Sequence, residues 1–284
     1  MQRIQNKTSL QQIIATWRDA GETVAFVPTM GNLHEGHLSL VDEAKRRADR
    51  CVVSIFVNPT QFGQGEDFEH YPRTEQQDCD ALDGRSVDLV YLPDVEDIYP
   101  EGMGARPDIH VPASLGDILC GEARPGHFDG VATVVRRLFE AVQPDVAVLG
   151  DKDYQQLQVI RWLVADQAMP VKIVGVPIAR DADGLAMSSR NQYLSAAERE
   201  QAPQLYAQLK QLGAAIEQGE RDMTTLSAQA RAQLEASGWQ VDYVSILSRD
   251  LRPVTDKDRD FVVLAAARLG QTRLIDNLEC SSEG

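Results

Sequence analysis

The chain is short of positive charge. Twenty-eight Lys and Arg stand against 43 Asp and Glu, a formal net charge of −15 over 284 residues. Such a surface repels nucleic acid and anionic membrane at long range, so neither is expected as a partner. No run of 18 apolar residues occurs, and a transmembrane helix is therefore not expected. The N-terminal stretch "MQRIQNKTSLQQI" lacks the apolar core of a signal peptide. Cysteine is sparse and scattered: Cys51, Cys79, Cys120 and Cys280 show no CxxC spacing. That argues against a disulfide framework or a zinc knuckle and for a reducing, cytoplasmic setting. Internal repeats and low-complexity tracts are also missing. What is left is ordinary globular composition, 43% hydrophobic and 25% charged, in a chain long enough for one large domain or two of usual size.

Short apolar runs alternate with helical patterns through the first two thirds. "TVAFVPT", "RCVVSIFVNP", "SVDLVYLP", "PDVAVLG" and "PVKIVGVPIAR" read as five strands. Between them, "HLSLVDEAKRRAD", "RTEQQDCDALDG", "DGVATVVRRLFEAVQ" and "YQQLQVIRWLVAD" carry apolar residues at helical spacing. Apolar strands alternating with helices predict an α/β fold, a doubly wound parallel sheet covered on both faces. After about Leu194 the composition turns to Ala, Gln and Glu, followed by the short strand patterns "QVDYVSILS", "DFVVLAAARLG" and "TRLIDNLE". This predicts a second, smaller α+β C-terminal domain. The expected division is residues 1–185 for the nucleotide-binding domain and 186–284 for the smaller one, with the boundary region near Ile178 to Leu194.

Ligands of such sheets bind beyond the carboxyl ends of the strands. The polar and Gly-rich stretches collect there. Met30-Gly31-Asn32-Leu33-His34-Glu35-Gly36-His37 follows the first strand, Asn58-Pro59-Thr60-Gln61-Phe62 the second, Gly150-Asp151-Lys152-Asp153 the fourth, and "RDADGLAMSSRNQYLS" the fifth. His34 and His37, three apart at a helix start, lie on one face beside unpaired backbone N–H groups and the positive end of the helix dipole. That is a site for a phosphate chain. Zinc is disfavoured: HEGH is not HExxH, and no third ligand is obvious.

The strand, "PTMGNLHEGH", helix order resembles the HIGH element of the nucleotidylyl-transferase superfamily, and "GLAMSSRNQYLS" stands where that group carries its KMSKS-like loop. With "SIFVNPTQFGQGEDFEHYPRT", "RPGHFDGVATVVRRLF" and "GDKDYQQLQVIR", in this order over nearly all of residues 20–200, the chain resembles the pantothenate synthetase (pantoate–β-alanine ligase) family. The resemblance implies a Rossmann-like catalytic domain that joins pantoate to β-alanine through an acyl adenylate, consuming ATP with Mg²⁺ and releasing AMP and pyrophosphate.

It also implies roles residue by residue. Met30, Gly31, Asn32, Leu33, His34, Glu35, Gly36 and His37 line the ATP site, with His34 and His37 on the phosphates and His37 as proton donor. Lys152 and Arg190 complete the catalytic set. Gly150, Asp151, Asp153, Ala179, Met187, Ser188 and Ser189 are further nucleotide contacts. Gln61 and Gln156 hold pantoate. Metal ligands stay unnamed, with Asp78 a family-based suggestion. His127 and Phe128 are cavity-wall candidates, Asn58 a turn former, and Asp129 or Gly130 a helix start. A homodimer through the larger domain and a mobile C-terminal cover are expected on the same ground. Two other readings compete: a different small-molecule adenylyltransferase, and a non-catalytic nucleotide-binding regulator. The absence of cations in "NPTQF" weighs against a phosphorylated acceptor. The joint presence of His34, His37, Lys152 and Arg190 weighs against a mere binder. A tRNA synthetase is disfavoured by the acidic charge.

Overall fold

The computed structural model describes residues 1–62, 68–69, 71–102 and 109–282. The chain packs as two units, one of Met1–Asp151 and Val159–Pro177, the other of Lys152–Gln158 and Ile178–Gly284.

The first unit is built on β1 (Gln2–Ile4), α1 (Lys7–Asp19), β2 (Val24–Thr29), α2 (Glu35–Arg47), β3 (Arg50–Ile55), α3 (Glu75–Gly84) and β4 (Leu89–Tyr91). Three short helical turns follow, α4 (Val95–Ile98), α5 (Ala113–Gly116) and α6 (Cys120–Ala123). Then come α7 (His127–Val142), β5 (Val146–Gly150), α8 (Tyr154–Asp166), whose first turn belongs to the second unit, and β6 (Lys172–Val176). The six strands form one parallel sheet in the order β1-β4-β3-β2-β5-β6. Five of them are the predicted strands. The sixth, β1, is a three-residue edge strand, QRI, too short and polar to show an apolar run.

Covering both faces explains the unbroken apolar strands. Val24, Ala25, Phe26 and Val27 are all fully buried. Leu38, Val41 and Ala44 of α2 and Cys79 and Leu82 of α3 pack with Ala25, Val27, Val53 and Val90. Phe139 of α7 meets Phe26 edge to face, ring centroids 6.1 Å apart. Lys45, Arg46 and Arg47 sit in the last turn of α2, where they complement the dipole. The start of α7 differs from expectation. The helix begins at His127 after a left-handed Gly126, not at Asp129 or Gly130. Asp129 is instead inside the first turn, where it accepts from the backbone N–H of Val111 at 2.9 Å.

The second unit adds α9 (Ala196–Gln201), α10 (Gln204–Glu217) and α11 (Met223–Ala236) to an antiparallel sheet of β7 (Gln240–Ser248), β8 (Asp260–Leu269) and β9 (Thr272–Ser281). This is the smaller α+β domain that the composition shift predicts. Ser195 and Glu198 close a capping box at α9. Leu205, Leu209, Leu212 and Ile216 of α10 bury against Phe261, Val263 and Ala265 of the central strand.

Among the described residues no helix is long and apolar enough to cross a membrane. None of the four cysteines is in a disulfide, and all four are buried. Burial pushes the Cys51 thiol up to about 12 and the Cys280 thiol up to about 11. At pH 8 fewer than about one in a thousand of either is thiolate, the reactive form. We therefore expect a colorimetric thiol titration of the native protein to proceed at least about a hundredfold more slowly at these two positions than in denaturant.

Candidate active site

The loop after β2 is held from two sides. Thr29 Oγ1 donates to the Ser54 carbonyl at 2.7 Å and accepts from the Gly31 N–H at 3.2 Å. The chain then passes through the left-handed region at Gly31 (φ 81°) and Asn32 (φ 50°). Gly31 is required for space as well as for its φ, since a Cβ there would lie 3.0 Å from both Asp78 Oδ2 and Ile55 Cγ2. Asp78, in the first turn of α3, is 2% exposed. Its Oδ1 accepts from the Leu33 N–H at 2.8 Å, and its Oδ2 from the Asn32 N–H at 2.9 Å and Thr74 Oγ1 at 3.1 Å. The residue that the resemblance offers as a metal ligand thus holds the loop. Among the described residues no group of three His, Cys, Asp or Glu stands ready to hold a metal ion.

The two histidines form the helix cap themselves. His34 is the N-cap of α2, and its Nδ1 accepts from the Gly36 N–H at 3.1 Å. His37 Nδ1 accepts from the His34 N–H at 3.3 Å. The rings lie 4.1 Å apart, centroid to centroid, tilted by 45°. This is a capping box with imidazoles in the places usually taken by Ser and Glu. It uses backbone donors that the sequence reading leaves to a ligand. In return it fixes the tautomer: a ring nitrogen that accepts from N–H carries no proton, so both rings carry theirs on Nε2. Glu35 turns elsewhere, pairing with Arg85 Nη2 at 2.7 Å, while Arg85 also pairs with Asp42.

The loop after β3 carries the second cluster. Asn58 is 1% exposed. Its Oδ1 accepts from Tyr99 Oη at 2.7 Å and Thr60 Oγ1 at 3.0 Å, and its Nδ2 donates to Gln61 Oε1 at 3.1 Å. That bond orients the Gln61 amide and leaves Nε2 as donor, 2.9 Å from Met30 Sδ. The backbone of Gln61 is fixed too: its carbonyl accepts from His127 Nδ1 at 2.7 Å and Arg124 Nη2 at 3.1 Å. Arg124 Nη1 lies 3.1 Å from His127 Nε2, which must accept. Phe128 is a core residue, 4% exposed. Gly130 lets α7 approach this loop, because a Cβ would fall 2.6 Å from the Thr60 carbonyl oxygen. Sequence reasoning gave Asn58 only a turn and missed Arg124. The Asn-Pro start is the one local signal, and the partners lie 41 and 63 residues away.

Of the other candidates, Gly150 and Asp151 close the first segment of the first unit, and the rest belong to the second unit. Gly150 ends β5, and Asp151, Lys152 and Asp153 form a single 3₁₀ turn directly after it. The Lys152 carbonyl accepts from Asn277 Nδ2 at 3.0 Å. Gln156 is half-buried in the first turn of α8. Ala179 and Met187 are brought together at the base of a hairpin, the Met187 N–H donating to the Ala179 carbonyl at 2.9 Å. Ser188 caps the following 3₁₀ turn, Ser189–Tyr193, its Oγ accepting from the Arg190 N–H at 3.2 Å. Asn191 Nδ2 donates back to the Ala186 carbonyl at 3.0 Å.

Two substitutions read this architecture through stability. Asp78→Ala leaves buried backbone donors without partners and is expected to cost about 2–5 kcal/mol in urea unfolding. Gly130→Ala forces α7 away from Thr60 and is expected to cost about 1–3 kcal/mol.

A family model described as pantoate-beta-alanine ligase matches residues 2–279. A protein of Laribacter hongkongensis named pantothenate synthetase is 55% identical over 266 residues, 93% of this chain and 95% of that one. A crystal structure of pantothenate synthetase from Thermus thermophilus superposes with a TM-score of 0.89 at 44% identity, covering 98% of this chain and 99% of that one. A pantoate-beta-alanine ligase of Francisella tularensis, complexed with beta-gamma ATP and beta-alanine, gives a TM-score of 0.82 at 34% identity, covering 98% and 97%. With the family model spanning all but the chain's ends, and these relatives matching it over nearly their whole length, the chain belongs to the pantoate–β-alanine ligase family.

Proposed function

We propose that this protein condenses pantoate with β-alanine at the expense of ATP. A free carboxylate is a poor electrophile, since its charge repels nucleophiles and oxide is a bad leaving group. In the first step the pantoate carboxylate attacks the α-phosphorus of ATP and pyrophosphate leaves. In the second, the β-alanine amine attacks the acyl carbon of the mixed anhydride and AMP leaves with the bonding pair. Neither step needs a covalent enzyme intermediate; both reward positioning and charge stabilisation.

The observation that carries this reading is the imidazole cap of α2. It presents two Nε2–H donors of fixed tautomer at a helix N-terminus, the chemistry needed for phosphate oxygens whose charge rises during transfer. In this reading His34 and His37 bind the phosphates and His37 supplies the proton-donating contact. Met30 to Leu33 line the nucleotide, and Gln61, oriented by Asn58, donates to pantoate. In the second unit Lys152 and Arg190 act on phosphate oxygens, Ser188 and Ser189 add hydroxyl donors, and Asp153 accepts from a ribose hydroxyl. Met187 and the backbone of Ala179 contact the nucleoside, and Gln156 holds pantoate's hydroxyl or carboxylate. Mg²⁺ enters chelated by the triphosphate, offsetting its charge. Four cysteines outside any disulfide support a cytoplasmic setting, and a homodimer through the first unit completes the reading.

Assays that omit each substrate in turn test the reaction. AMP and pyrophosphate are expected with pantoate, ATP and Mg²⁺, and the amide only after β-alanine is added. AMP formation that is indifferent to pantoate would sink the proposal. His37→Ala is expected to lower kcat by about a hundredfold or more; a loss within about threefold removes its assigned role. Light scattering should return twice the 31.4 kDa chain mass.

A further inference from the structure

The second unit contains a buried polar dipeptide whose cost calls for a reason. Asp276 and Asn277 of β9 are 4% and 5% exposed. Asp276 takes both ends of the Arg180 guanidinium, Nη1 to Oδ2 at 2.7 Å and Nη2 to Oδ1 at 2.8 Å. Arg180 is itself largely covered and lies over the Tyr206 ring, 3.5 Å from its centroid. The same guanidinium donates to the Gly184 carbonyl at 3.1 Å and the Asn277 carbonyl at 3.3 Å. Taking two charges out of water costs several kcal/mol each, and well-packed apolar residues would stabilise such a place at least as well. The ion pair is thus a poor device for stability and a good one for fixing geometry.

What it fixes is the hairpin of residues 179–187. Arg180 bridges to Ala186 across that hairpin, and the Met187 N–H closes on the Ala179 carbonyl. Arg180 clamps the first arm and, through Gly184, the tip. Successive side chains of a strand leave by opposite faces, so the next residue can serve a different segment. Asn277 does so, its Nδ2 donating to the Lys152 carbonyl at 3.0 Å. Two adjacent residues of β9 therefore hold the hairpin that carries Ala179 and Met187 and the turn that carries Lys152.

We propose that Asp276 and Asn277 are positioning residues for the nucleotide, holding the adenine-side hairpin and the phosphate-side lysine turn at a fixed separation. The proposal rests on the assignment of Ala179, Met187 and Lys152 to ATP given above. Asp276→Asn removes the charge that anchors Arg180, and Asn277→Ala removes the donor to Lys152. Steady-state kinetics with ATP and pantoate varied separately, together with calorimetric binding of α,β-methylene-ATP, test both variants at a temperature where circular dichroism shows them folded. The KM for ATP and the Kd of the analogue are expected to rise about three- to tenfold, the range of one lost hydrogen bond, with the KM for pantoate moving less than about twofold. Leu209→Ala, a cavity in the core of the same unit, should lower the melting temperature and leave the KM for ATP in place. Nucleotide affinity within twofold of wild type in both variants, or a pantoate KM that rises in step with that for ATP, overturns the proposal. If Asp276→Asn does not fold, Asn277→Ala, which deletes one neutral bond, decides alone. A wild type that binds the analogue but forms no AMP from pantoate fails the functional reading only, and the analogue Kd still judges the positioning. A wild type that does not bind the analogue overturns both.

Discussion

Parallel strands can follow one another only through crossovers, so their carboxyl ends share one edge of the sheet. Everything distinctive about the first unit follows from that constraint. β2 and β3 are neighbours, paired from Val24 with Arg50 to Thr29 with Ile55, and the loops leaving them must emerge side by side. That is why Gln61 reaches Met30, although 30 residues and a helix separate them in sequence. The sheet supplies the coincidence, and buried polar groups convert it into geometry. Asp78 pins the loop after β2 through its backbone N–H groups. Asn58, Arg124 and His127 pin the loop after β3.

In the proposed reading the first unit works with dipoles more than with ions. Its candidate donors are imidazole and amide N–H groups, which cost less to desolvate than ammonium or guanidinium groups and add no charge of their own. In a molecule of formal charge −15 this has a physical logic. A neutral donor of fixed direction does not collapse onto a neighbouring carboxylate when the substrate is absent. Among the described residues many arginines do pair in that way, as Arg50 does with Glu22 and Asp88, and Arg199 with Asp181 and Asp183.

How much was legible from sequence follows the range of the interactions. Strands β2 to β6 announce themselves because burial on both faces leaves an unbroken apolar run, and α2, α3, α7 and α8 by their helical spacing, both local patterns; the four-residue turns α4, α5 and α6 are too short to show one. The edge strand β1 does not, since one three-residue polar segment has no pattern to show. The HEGH stretch is visible as a helix start where a histidine could cap local backbone, yet the reciprocal imidazole cap is not. That cap depends on which ring nitrogen turns back, a rotamer choice. The helix start misplaced at Asp129 has a similar cause, because Gly126 ends the preceding turn in a left-handed conformation that the sequence only permits. Asp78 enters the sequence reading only as a metal ligand suggested by the family resemblance. Only the fold shows that backbone N–H groups 45 and 46 residues away occupy it. Arg180 with Asp276 is the extreme case, a contact across 96 residues that no spacing rule could reveal.

The imidazole cap ties the start of α2 and the chemistry proposed for it to opposite edges of the same rings. Deleting either ring therefore confounds two losses, about 1 kcal/mol of helix capping and whatever the outward N–H contributes. Asparagine separates them, since its side-chain oxygen takes up roughly the place of Nδ1 and nothing replaces Nε2. Comparing alanine with asparagine at His34 and His37 would divide the scaffold's share from the reaction's share at each position.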